Sequence, residues 1–402
     1  MNPPDSTVPR RVQETVKFDR VEKILQENPA DKLSCFFSPT EFSDTGPESR
    51  EIKDLATCIA VKEACCNLFP NEITRNNIFP ADFEVRISSN GTPALNCHGA
   101  SRAVLDRYRV EDISLSIRHG EADVSVEAET RPRTTVVPWY GRLLYHLFPY
   151  RRGVVLGNLR RVFGDALPES EIIRLAQSYY AHYARFFDEY LRLPFMSVKR
   201  RQAWIRVENT ESPIRAHERG KGLILLTGHF GNFEVSTMGG ISQFPQYHGM
   251  FHFVRRALKP ALLNRVVTRR FRKAGFGVLP KRGSLDRILD LLSEGAFIVY
   301  VFDQHAGRPD GIVVDFFGHP AGTFKSVALL ALETGAPVVP ACSWREPDGS
   351  HVLRFEDPLP LIESDNPGDA IRENTRAYNV AIERMILRHP EQWIWMHRRW
   401  KL

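Results

Sequence analysis

Residues 223–235 read LILLTGHFGNFEV, so His229 and Glu234 sit five residues apart just beyond an apolar run. In one continuous α-helix, positions five apart differ by about 140° around the axis and do not share a face. The two side chains meet only if His229 lies on a turn leaving a strand and Glu234 lies in the first turn of the next helix. There the carboxylate would accept the imidazole N–H, fix its tautomer and stabilise the imidazolium. Such a pair takes a proton from a hydroxyl but supplies no nucleophile of its own. The matching chemistry is direct acyl transfer to an alcohol, without a covalent enzyme intermediate.

The surrounding residues supply that context. LILLT reads as a buried strand, Gly228 and Gly231 permit a tight turn, and Asn232 begins a helix. Backbone amides of this turn are candidate oxyanion donors, which makes Gly231 and Asn232 candidate substrate-binding residues. Apolar runs at 222–226, 296–302 and 336–341 alternate with helical stretches, as expected for a mixed or parallel sheet covered by helices. Ligands of such sheets sit at the mouths of the strands. Asp303 and Gln304 end the run AFIVYVF at another such mouth, where they line a pocket or cap the next element. The apolar spacing of 169–193 predicts a helix with a core-facing stripe. Residues 139–152, WYGRLLYHLFPYRR, are short, aromatic and basic, and read either as an interfacial segment or as a packed helix.

Composition sets the partners. Residues 1–130 hold 15 Lys/Arg against 22 Asp/Glu, net −7, whereas the rest of the chain is net +13. The C-terminal part is therefore the one to meet an anionic partner. No finger, basic zipper or RNA-binding signature points to nucleic acid. The cysteines lack paired CxxC spacing, which favours a reducing compartment over a zinc site. The first residues lack the apolar core of a secretory signal, and no apolar stretch is long enough to span a bilayer. Residues 1–15 are expected to be mobile, 16–129 to form a first α+β domain, 130–138 a linker and 139–402 a second domain. Within the first domain, 55–68 reads as a helix, and 83–87, 113–116 and 123–128 as strands. SNGTP at 88–92 reads as a turn.

GHFGNFE resembles the HX4E/D motif of the lysophospholipid acyltransferase superfamily, and most specifically of the bacterial lipid A late acyltransferases. The likeness extends over about 154–402 through NLRRVF (158–163), VRRALK (254–259), Asp303-Gln304, DFFGHPAGT (315–323), ETGAPVVP (333–340) and QWIWMHRRWK (392–401). It implies a glycerolipid acyltransferase-like mixed sheet, His229 as general base and Glu234 as its orienting carboxylate. It also implies an acyl thioester donor, of acyl carrier protein or coenzyme A, with no cofactor. Arg256 matches the family's arginine after a sheet strand, where it would bind a phosphate; a solvated basic helix over 255–273 is the alternative. Bacterial members usually begin with a spanning helix, and here another domain takes that place.

Residues 16–129 resemble, block by block, the holo-acyl-carrier-protein synthase type of phosphopantetheinyl transferase: FDRVE with Asp19, FSPTE (37–41), AVKEA (60–64), NGTPAL (90–95) and ISLSIRH (113–119). The resemblance implies Mg²⁺ on Asp19 and Glu63, coenzyme A bound near Lys62, and a homotrimer with sites between subunits. Read alone, Lys62-Glu63 is an ordinary surface pair on a helix. The family's glycine before the aspartate is replaced by Lys17-Phe18, and its lysine four residues after the glutamate by Asn67. Active phosphopantetheinyl transfer and a degenerate carrier-docking scaffold both stay open. The combined expectation is a peripheral O-acyltransferase on the cytoplasmic face of the inner membrane, acting on a membrane glycolipid such as a lipid A precursor. Two rivals are a phosphopantetheinyl transferase anchored by its C-terminal half and a non-enzymatic carrier or membrane scaffold.

Overall fold

The computed structural model describes residues 10–27, 37, 41, 51–69, 80–87, 93–255, 259, 261–281 and 283–401. They fall into two compact units, 1–135 with 163–172 and 136–162 with 173–402.

In the first unit, β1 (Arg11–Lys17), β4 (Val110–His119) and β5 (Asp123–Pro132) form an antiparallel sheet in the order β1-β5-β4. A second antiparallel pair joins β2 (Phe83–Ile87) to β3 (Pro93–Cys97). Strand β5 alternates strictly, turning Val124, Val126 and Ala128 inward, because successive strand side chains point to opposite faces. Helix Ile52–Leu68 is apolar around nearly its whole circumference and is buried accordingly. The small α+β arrangement is the expected one, with two boundary corrections. Residues 11–15 were assigned to a mobile segment, but they pair with β5 as part of β1, since VQETV carries the inward Val16 phase of a strand. The expected linker at 130–138 is strand up to Pro132, for the same reason of ladder pairing with β4. The turn expected at 88–92 lies outside the described residues.

The second unit is built on a seven-stranded sheet. Its strands are β6 (Ile205–Glu208), β7 (Leu223–Thr227), β8 (Phe251–Arg255), β9 (Gly277–Pro280), β10 (Phe297–Val301), β13 (Val338–Arg345) and β14 (His351–Phe355), in the order β6-β14-β13-β7-β10-β8-β9. Neighbours run parallel except β13 and β14, so the sheet is mixed, as the alternation of apolar runs predicts. Strands β11 (Gly311–Phe316) and β12 (His319–Phe324) form a separate hairpin. Central strands covered on both faces favour apolar residues; β7 up to Leu226 and β10 are apolar throughout, and β13 is buried at every position although it carries Ser343 and Arg345. The core packs Leu225, Val299, Val339 and Leu353 against Phe251, Phe271, Phe276 and Phe297.

Helix Glu169–Arg192 buries Ile172, Leu175, Ala176, Tyr179 and Tyr180, the predicted stripe, but leaves Phe187 and Leu191 exposed near its end. Helix Trp139–Leu147 is packed on one side and exposed on the other. Gly141 and Tyr145 are buried, and a Cβ at Gly141 would come within 2.6 Å of the Gln177 carbonyl oxygen, so only glycine allows this close helix contact. Trp139, Leu143 and Leu147, one turn apart, face outward. Among the described residues no helix is long and apolar enough to cross a membrane.

Candidate active site

Parallel pairing of β7 with β10 is in register, with Thr227 opposite Val301. Each strand then runs two residues further, one to His229 and the other to Asp303, and Phe302 N–H donates to Thr227 O at 2.8 Å to hold the exit together. The register therefore delivers an imidazole and a carboxylate to one spot. His229 Nδ1 lies 3.0 Å from Asp303 Oδ1. A carboxylate only accepts, so Nδ1 carries the proton and Nε2 keeps its lone pair. Asp303 Oδ2 accepts from the His229 backbone N–H at 2.7 Å and from Trp393 Nε1 at 2.8 Å. The carboxylate is wholly buried, whereas the imidazole is 20% exposed. A Cβ on Gly228 would fall 2.8 Å from Asp303 Oδ2, so glycine is what lets the carboxylate approach the turn.

Burial alone would lower the His229 pKa, but the charge of Asp303, its hydrogen bond and the more distant Glu234 outweigh it and raise the value above the ordinary 6.5. Burial alone would raise Asp303, but the attraction of His229, the His229 hydrogen bonds and that of Trp393 hold it below the usual carboxylate range.

The turn has the predicted form. Gly231 adopts φ +52°, and Asn232 caps helix Phe233–Ile241 by accepting from Val235 N–H at 3.2 Å. Glu234, however, does not hold the imidazole. It sits in the first helical turn as expected, but Asp303 already occupies Nδ1, and among the described residues Glu234 Oε2 has no hydrogen-bond partner. Burial raises the Glu234 carboxyl above its usual range, with Arg255, Arg270 and His229 opposing the rise. Gly231 and Asn232 are also reassigned, because both face the protein interior. Gly231 N–H donates to Gln392 O, and a Cβ there would meet Ser343 O at 2.6 Å. Asn232 is fully buried and donates to Glu189 Oε2 at 2.8 Å, and Arg345 bridges to the same carboxylate at 2.5 and 2.6 Å. His351 and Arg345 hold Glu189 down to about 2 against its burial. Arg256 lies outside the described residues.

His229 opens onto a cavity of about 520 Å³. Gln304 lines it as expected, together with Glu234, Arg255, Lys281, His305 and His397. Its remaining wall is largely apolar, including Ile241, Phe253, Phe271, Leu353 and Phe355. Two contributors come from the C-terminal stretch, where sequence reading gave no chemical role: Trp393, a donor to Asp303, and His397. Trp393 and Trp395 are buried.

In the first unit the expected metal and cofactor residues are otherwise engaged. Both oxygens of Glu63 are taken by Arg20, Nη2 to Oε1 at 2.6 Å and Nη1 to Oε2 at 2.9 Å. Asp19 Oδ1 accepts from its neighbour's backbone N–H. A guanidinium neutralises Glu63, so a Mg²⁺ ion on this pair would compete with Arg20 for both of its oxygens. Lys62 is not the surface residue its sequence suggested. It is fully buried, donating to Glu41 Oε2 at 2.9 Å, while Glu41 Oε1 accepts from Val85 N–H at 2.6 Å. A charge leaves water only with a partner of this kind, and here the partner removes the ammonium from any ligand.

A family model described as "Bacterial lipid A biosynthesis acyltransferase" matches residues 133–402, about two thirds of the chain. The chain belongs to that family. Among curated relatives of this acyltransferase-family chain is the phosphatidylinositol mannoside acyltransferase of Mycolicibacterium smegmatis, 29% identical over 60% of this chain and 77% of that protein. Another is the lipid A biosynthesis lauroyltransferase of Escherichia coli, 24% identical over 65% and 82%. Among solved structures, the holo-ACP-synthase from Plasmodium yoelii covers 32% of this chain and 97% of its own, with 20% identity and a TM-score of 0.26.

The family member's dyad can be read directly by NMR titration of the His229 ring. Asp303→Asn removes the nearest anion and is expected to lower the His229 pKa by a unit or more, roughly the size of such pair effects. Glu234→Gln should lower it less. A larger drop from Glu234→Gln would return the orienting role to Glu234.

Proposed function

We propose that the protein moves a fatty acyl group from an acyl thioester, of a carrier protein or coenzyme A, to a hydroxyl of a glycolipid. One observation carries this reading: His229, its Nδ1–H held by Asp303, turns an unprotonated Nε2 toward a cavity with an apolar wall. Nε2 takes the acceptor's hydroxyl proton as the oxygen attacks the thioester carbonyl. The C–O bond forms, the C–S bond breaks, and the departing thiolate recovers the proton from the imidazolium. Because the imidazole pKa is raised, the base is neutral only above that value, and activity falls as the pH drops through it. Ile241, Phe253, Phe271, Leu353 and Phe355 suit an alkyl chain, and Arg255 and Lys281 suit the anionic groups of donor or acceptor. The names of the relatives, a phosphatidylinositol mannoside acyltransferase and a lipid A lauroyltransferase, support a glycolipid acceptor.

The exposed stripe Trp139, Leu143 and Leu147, followed by Phe148 and Tyr150 and accompanied by Arg142, Arg151 and Arg152, supports peripheral docking on an anionic membrane surface. A thioester donor places that surface on the cytoplasmic side. The first unit serves this enzyme as a carrier-docking or scaffolding module without phosphoryl chemistry of its own, a reading supported by the Arg20–Glu63 and Lys62–Glu41 pairs.

Three measurements follow from this. With acyl-carrier or acyl-coenzyme A donor and a lipid A precursor, His229→Ala is expected to lose about 10²–10⁴-fold in rate; equal rates would remove the mechanism. Sedimentation with anionic vesicles should weaken at least about tenfold in Trp139→Ala/Leu143→Ala, given about 1.5–3 kcal/mol per buried large apolar side chain. Unchanged binding excludes this stripe as the docking face. Apo-carrier incubated with coenzyme A, Mg²⁺ and the full chain should stay apo; holo-carrier formed by wild type and lost in Glu63→Ala would restore the transferase reading.

A further inference from the structure

Acyl transfer builds negative charge on the thioester oxygen, and a donor must meet it. On the turn after β7, two backbone amides are already committed, His229 N–H to Asp303 and Gly231 N–H to Gln392 O. Side chains of the cavity lining offer further donors.

His397 has the required form. Its Nε2 lies 3.0 Å from the backbone N of His305. A backbone amide only donates, so Nε2 holds a lone pair, the ring is neutral, and its proton sits on Nδ1. The backbone around it is fixed as well, because Asn158 Nδ2 donates to His397 O and to Trp395 O, each at 2.8 Å. The ring lines the same cavity as His229. Burial pushes its pKa down to about 4, against the pull of Asp303, which keeps it uncharged at neutral pH. Other donors in the lining serve less well. Arg255 and Lys281 are drawn over the rings of Phe271 and Phe324.

We propose that His397 is a catalytic residue of this acyl transfer, its fixed Nδ1–H donating a hydrogen bond to the thioester oxygen as it becomes an oxyanion. The proton stays on Nδ1 throughout, and His229 alone carries the proton that moves. The inference rests on the acyl-transfer reading above and assigns the second polar role in that site.

The test uses the full chain with an acyl-carrier donor and a lipid A precursor, comparing wild type, His229→Ala, His397→Ala, His397→Gln and His397→Asn, each checked for folding by circular dichroism and melting temperature. Glutamine's carbonyl can replace Nε2 as acceptor for the His305 amide but offers no donor near Nδ1. Asparagine places an N–H near Nδ1. His397→Gln is expected to lose about 10²–10³-fold in kcat with little change in KM, the signature of an interaction made only in the transition state. The acid limb of its pH profile should stay where His229 sets it, and His397→Asn should recover part of the loss. A folded His397→Gln variant within about threefold of wild-type kcat, or one altered in KM alone, overturns the assignment while leaving the acyl-transfer reading intact. Absence of turnover by wild type with either thioester overturns both.

Discussion

The site depends on strand register. Two parallel strands paired Thr227 to Val301 emit their next residues side by side, and a slip of one residue would turn every side chain beyond the pair to the opposite face. The register is held by the ladder, in which β10 pairs with β7 on one side and β8 on the other, and by the side chains packed against these buried strands. Packing thus sets a polar contact to within hydrogen-bond distance. Asp303 is then secured by three separate donors from the turn and the C-terminal segment, so the carboxylate has no freedom to leave the imidazole.

Two carboxylates approach this cavity, and their surroundings separate their behaviour. Asp303 is deep but surrounded by donors, which keeps it ionised. Glu234 is raised by burial, and among the described residues its Oε2 has no donor to offset that. Environment rather than residue type decides which carboxylate governs the histidine. Behind them, the buried Asn232–Glu189–Arg345 cluster ties the turn to helix Glu169–Arg192 and to β13, so the histidine is mounted on a rigid frame.

Much of this was legible in the chain. Local signals placed the strand, the glycine turn and the cap at Asn232, because each depends on neighbours within a few residues. The apolar runs announced the mixed sheet. The partner of His229 was harder to read, since five-residue spacing makes Glu234 conspicuous while Asp303 is joined to the site only through inter-strand register. It was singled out as a strand-mouth residue, and its role needed the pairing. Trp393 and His397 arrive from more than a hundred residues away, and no local pattern marks a histidine whose tautomer is set by another residue's amide. Lys62 failed for a related reason: the charged pair Lys62-Glu63 looks solvated until Glu41 is folded against it.

The contributors to the site come from residues 158, 229, 303 and 393–397, so its chemistry is distributed over most of the second unit's length. While the polypeptide is being synthesised, His229 emerges long before the tryptophan that steadies its carboxylate or the segment that closes the cavity. The complete site exists only once residues 393–397 have packed beside the strand mouths.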